Sequence, residues 1–194
     1  MDPDQDRAVS GLSAIGGSFA AGIVRHLPAL VALTAAATVS YQRLVPHRWS
    51  AAFDNLGLRD REAALRICPV REDGDVARSY NLEYRAADAA ASPHLLLAAL
   101  VRAGLQGLRE GLATPEPTEE DLALCSEAEL TARGIRRLPT SLPDALAALE
   151  ADEIARGWWP PQLLDVYLKH KRGEIALLEG LTPEEQAERY AKVY

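Results

Sequence analysis

Lysine is scarce in this chain: among 21 basic residues only Lys169, Lys171 and Lys192 are lysines, all near the C-terminal end. Cysteine occurs twice, at Cys68 and Cys125, far apart and without metal-ligand spacing. That excludes a disulfide framework and a cysteine zinc site, and it points to a reducing compartment, by default the cytoplasm. An excess of positive charge is also missing. A net charge of -7 excludes a general nucleic-acid binder, which needs a basic face to neutralise phosphates. There is no long uncharged apolar run either. Residues 12–39 are rich in Ala, Leu and Val, but Arg25, His26 and Pro28 interrupt them, and the opening MDPDQDRAVS is acidic where a signal peptide would be basic. Neither a membrane span nor a secretory signal is predicted, and two packed soluble helices are expected there.

What is present is arginine. Residues 40–88 contain SYQRLVPHRW, DREAALRICP and NLEYRAAD and no lysine at all. Guanidinium is the side chain suited to gripping planar oxyanions in a fixed orientation. Arg43, Arg61, Arg66 and Arg85 stand out: Arg66 and the Glu83-x-Arg85 pair fall in apolar runs that read as strands, which would aim these charges from a sheet toward an anion. For any single arginine a surface salt bridge is the commoner role, so spacing has to carry the case.

With 194 residues the chain can form one domain with a core. Ser10 can cap a first helix through GLSAIGGSFAAGIVRH, whose glycines permit close packing, and Pro28 suits the first turn of a second helix. Residues 39–59 lack a helical period and read as an extended loop. Residues 63–70 and 79–85 read as two strands closed into a hairpin by REDGD. SPHLLLAALVRAGLQGLREGL is the clearest helix and is expected to be central, and TPEPTEED is expected to be a surface connection. Further helices are expected over 126–133, 142–150, 160–179 and 182–193, with Ser141-x-Pro143 and Thr182-Pro183 as start signals. The fold class is α+β, mostly helical, with a short antiparallel β pair. Three regions are expected: a leader loop (1–10), an active-site half with the β pair (11–113) and a C-terminal helical region (114–194).

In this order, the motifs RHLPALVALTA, SYQRLVP, DREAALRICP, LEYRAADAAASPHLLLAALVRAGLQGL, LPTSLPDALAALEAD and LLDVYLKHKRGEI resemble the C-terminal half of the catalytic domain of glutamine synthetase and its γ-glutamyl ligase relatives. The resemblance implies ATP-dependent joining of glutamate to ammonia or an organic amine through a γ-glutamyl phosphate. It implies Arg43 for the glutamate substrate, Arg61 and Arg66 for the ATP phosphates, Glu83 for a divalent metal (Mg²⁺ or Mn²⁺), and Arg85 for the phosphoryl group in transit.

Three departures qualify it. Trp49 stands where the family has a glutamate that shields the intermediate and takes a proton from ammonium. Trp49 can instead enclose an organic amine, or it can plug the loop base against Phe53. Val39, Asp60 and the Ser92-Pro93-His94 helix start replace the family's usual residues, and His94 is expected to face solvent at that start. Glu83 is expected to be the only one of the family's metal ligands in this chain, the others lying in sequence upstream of Met1. The chain is therefore expected to be inactive alone, with an oligomer or partner chain completing it. A non-catalytic assembly module, and an anion-binding surface without chemistry, are the other two readings.

Overall fold

The structure is a computed structural model that describes residues 11–70 and 79–193. Its spine is helix α1, Ala14–Thr34. The Ser13 hydroxyl caps it by accepting from the Gly16 amide at 3.1 Å; the expected cap, Ser10, lies outside the described residues. Pro28 does not begin a second helix. It sits inside α1, where its missing N–H releases one carbonyl. Burial of Ile23, Leu27, Leu30, Val31 and Leu33 outweighs that loss, an instance of tertiary packing overriding a local stop signal. By length and hydropathy α1 would cross a bilayer, but here it forms the middle of the core.

Helix α2, Pro93–Glu110, lies against α1 where both have small residues. A Cβ on Gly22 would come within 2.1 Å of the Ala103 carbonyl oxygen, and one on Gly107 within 2.0 Å of the Ser18 carbonyl. The expectation that α2 is central is corrected: only its Ala99, Ala103, Gly104 and Gly107 side is buried, and Leu97, Val101 and Leu105 are exposed on the other. An apolar period marks a helix but cannot say which of two apolar helices is enclosed. His94 is exposed at the start of α2, as expected.

The sheet has three strands, β1 (Phe53–Leu58), β2 (Ala63–Ile67) and β3 (Leu82–Tyr84), in the order β1-β2-β3. The expected antiparallel pair is β2 with β3; the REDGD turn lies outside the described residues. β1 corrects the loop expected there, and it runs parallel to β2 through a connection of residues 59–62, far shorter than the usual crossover. Asp54, Asn55 and Gly57 disguise it, since each is a turn-type residue with a tertiary partner. Asp54 accepts from the Arg136 backbone N and Nε, both at 2.6 Å. The Asn55 amide donates to Thr118 Oγ1 at 2.7 Å and accepts from the Ala64 amide at 3.2 Å. A Cβ on Gly57 would stand 2.4 Å from the Ala63 Cβ.

The free edge of β1 is covered by segments from later in the chain. Leu58 donates to the Thr118 carbonyl and Thr118 to the Leu56 carbonyl, each at 2.9 Å, and Leu138 donates to the Ala52 carbonyl at 2.9 Å. Thr118 is thus buried, which corrects the reading of 114–121 as wholly a surface connection. The remaining helices are α3 (Glu127–Ala132), α4 (Leu142–Ala151), α5 (Glu153–Gly157), α6 (Pro161–Leu177) and α7 (Pro183–Tyr190). Ser141 and Thr182 cap α4 and α7 as their spacing predicts, and Ser126 caps α3. Asp152 caps α5 and also bonds His26 Nδ1 at 2.5 Å, which ties the C-terminal helices to the spine.

Candidate active site

Register explains how the arginine cluster forms. Arg66 on β2 lies directly opposite Glu83 on β3, and Arg85 is two residues beyond Glu83, so all three project from one face of the sheet. Leu65, Ile67, Leu82 and Tyr84 alternate with them and pack on the core side. Arg66 Nη1 donates to Glu83 Oε2 at 3.0 Å and Arg85 Nη1 to Glu83 Oε1 at 2.8 Å, so each carboxylate oxygen has a guanidinium. Burial alone would raise the Glu83 pKa, but the bonds and charges of Arg66 and Arg85 outweigh it and hold the carboxyl below its ordinary value.

Arg85 is fixed at all three of its nitrogens. Nε donates to the Arg61 carbonyl and Nη2 to the Trp49 carbonyl, both at 2.8 Å, which joins two loops over the arginine face. Trp49 is 70 % exposed and has φ 54, rare for a bulky side chain. Its ring lies under the Arg61 guanidinium, 5.4 Å from the centroid. The alternative in which Trp49 plugs the loop base against Phe53 is therefore corrected; Phe53 instead has Arg137 over its ring at 5.8 Å.

Arg43 is half-buried below these loops. Its Nη1 donates to the Ser50 hydroxyl and to the Arg85 carbonyl (3.3 Å), and its Nη2 to the carbonyls of Ala86 (3.4 Å) and Ala87 (2.8 Å). Burial pulls its pKa below the usual guanidinium value, with Asp88 opposing. Arg43 thus braces the Trp49 loop against the end of β3. Arg43, Trp49, Arg61, Arg66, Glu83 and Arg85 all come together in one patch.

Sequence reasoning missed Glu62, the hub of the loop. It accepts from the His47 amide at 2.9 Å and from the Trp49 amide at 3.4 Å, and so sets the turn that presents Trp49. His47 in turn bonds Asp121, 74 residues away, at 2.9 Å. The only local signal was the acid beside Arg61; no spacing could have announced Asp121.

The donor set at Glu83 does not by itself suit Mg²⁺ or Mn²⁺. Those ions need several oxygens, whereas Glu83 is one carboxylate with both oxygens already bonded to arginines. Among the described residues Glu83 belongs to no group of three or more potential ligand atoms. A phosphate finds a better match in the patch, where two guanidiniums, of Arg66 and Arg85, share one carboxylate.

The sequence profile of the glutamine synthetase catalytic domain matches residues 2–190. The chain belongs to the glutamine synthetase family. It is 40% identical over 184 residues to a gamma-glutamylpolyamine synthetase of Streptomyces coelicolor, covering 95% of this chain and 39% of that protein. It is 33% identical over 171 residues to a glutamine synthetase of Methanocaldococcus jannaschii, covering 88% and 37%. A crystal structure of a glutamine synthase homolog superposes with a TM-score of 0.83 at 44% identity over 98% of this chain and 41% of that one. A GmaS/ADP complex superposes with a TM-score of 0.73 at 28% identity, covering 90% and 39%. The chain thus spans about two-fifths of the length of these relatives. The α+β fold, mostly helical with a small mixed sheet, is that of the family's catalytic domain.

Proposed function

We propose that this chain supplies the arginine face of an ATP-dependent ligase that joins glutamate to an organic amine through γ-glutamyl phosphate. The observation that carries the reading is the fixed Arg66–Glu83–Arg85 array on one sheet face, roofed by the Trp49 and Arg61 loops. In this reading Arg61 and Arg66 meet the ATP phosphates. Arg85, immobilised at three nitrogens, stabilises charge on the phosphoryl group without having to reorganise. Arg43 is assigned to glutamate by resemblance, and that contact would replace some of its present bonds to carbonyls.

The exposed Trp49 supports an organic amine over ammonia, because an indole offers an apolar wall and cannot take a proton. The polyamine specificity named for the Streptomyces relative agrees with that choice. Mg²⁺ or Mn²⁺, which the resemblance implies, would find at Glu83 only one carboxylate, already bonded to two arginines. The reading includes completion by another part of the enzyme or another subunit, and cytoplasmic localisation.

The test is ATP-dependent amide formation from glutamate with a panel of mono- and polyamines, on this chain alone and in the presence of a longer relative. The chain alone is expected to show no turnover; amide product from it would overturn the dependence on completion.

A further inference from the structure

Behind the Trp49 loop lies a second chemical site that the ligase reading does not use. His47, Glu62 and Asp121 each offer one ligand atom, and the three atoms lie within 4.8 Å of one another. His47 Nε2 and Asp121 Oδ2 are 2.9 Å apart, in a direct hydrogen bond that a metal ion would replace. The site opens into a cavity of about 320 Å³ whose wall also carries Asp60, Glu119 and Glu120, and no lysine or arginine is in that described lining. Of these acids, Glu120 is neutralised by Arg133.

The contrast with the rest of the molecule is informative. In the larger cavity beside α1, of about 600 Å³, Asp54 is taken by Arg136 and Asp152 by His26 and the Ala155 amide. On the arginine face Glu83 has two guanidiniums. Among the described residues, His47, Glu62 and Asp121 form the one group of three or more potential ligand atoms.

We propose that His47, Glu62 and Asp121 bind a divalent transition-metal ion. One imidazole nitrogen with two carboxylates suits Zn²⁺ and discriminates against Mg²⁺, which prefers oxygen and retains its waters. The ion would clamp the Trp49 loop to the segment containing Asp121, leaving coordination positions open to the cavity. Glu62 would hold the ion while still accepting from the His47 and Trp49 amides. The site is separate from Glu83 and does not depend on the ligase reading.

The test is calorimetric titration of the chain with ZnCl₂ and, separately, MgCl₂. One equivalent of Zn²⁺ should bind, with affinity falling about tenfold or more in His47→Ala and in Asp121→Asn and unchanged in Glu83→Gln. Mg²⁺ should bind far more weakly than Zn²⁺. On the unsubstituted chain, Co²⁺ should give a visible absorption band that Zn²⁺ abolishes, a readout that survives if a variant fails to fold. Absence of saturable Zn²⁺ binding, Zn²⁺ binding untouched by both His47→Ala and Asp121→Asn, or its loss in Glu83→Gln would each overturn the proposal.

Discussion

Glu83 is bonded by two arginines, and its lowered pKa fixes the sign of its contribution to stability. A carboxyl held below its unfolded value stabilises the fold above that value, near 4.5, and the contribution is lost as pH falls through the folded value. Glu110, Glu120, Asp121 and Glu129 act with the same sign. Urea unfolding between pH 6 and pH 3 should therefore show stability falling with acid, and less steeply in Glu83→Gln than in the unsubstituted chain. Equal slopes would mean the two guanidiniums do nothing for Glu83. Trp49 makes an opposite kind of residue-scale claim. It is exposed and held at positive φ, so Trp49→Gly should change stability by no more than about 1 kcal/mol, since glycine adopts that backbone freely. Trp158→Ala, at a buried position, should cost about 3–5 kcal/mol. A large loss in Trp49→Gly would restore the reading of Trp49 as a packing plug.

At the scale of elements, the contact between α1 and α2 depends on glycine. Ala at position 22 would gain helix propensity but meet the Ala103 carbonyl, and we expect Gly22→Ala to lower the unfolding free energy by about 3 kcal/mol. Gly173 lies within α6 with nothing near its missing Cβ, so Gly173→Ala should gain up to about 1 kcal/mol. Denaturant midpoints measured on both variants check the pair. The elements also show what was legible. Helices with local punctuation, such as Ser141 with Pro143 or Thr182 with Pro183 and Glu185, could be read because cap and first turn are adjacent in sequence. Pro28 reads as a break in α1 because the cost of proline is local while the burial that offsets it is not. β1 was hidden because Asp54 and Asn55 find their partners at Arg136 and Thr118, 82 and 63 residues away. The β2–β3 pair was legible, and with it the grouping of Arg66, Glu83 and Arg85, because strand register places them together. The Glu62–His47–Asp121 arrangement was not, because it is made by a loop meeting a distant segment.

For the whole molecule, charge is unevenly placed. A chain of net charge -7 sets Arg66 and Arg85 on one carboxylate, with Arg43 and Arg61 bracing the adjoining loops, and collects five acids around a separate cavity. The two lie on either side of the Trp49 loop, which Glu62 and Arg85 hold between them. Leu97, Val101 and Leu105 are exposed on α2, and the chain spans about two-fifths of the length of the relatives it matches. The central claim is that the arginine face grips nucleotide phosphates, and ATP titration of the chain by calorimetry at low salt tests it most directly. The account predicts affinity about tenfold weaker in Arg61→Ala and in Arg66→Ala, with the exposed α2 substitution Arg102→Ala leaving it unchanged. ATP binding of equal strength in all four proteins, or no measurable binding to the unsubstituted chain, would contradict it.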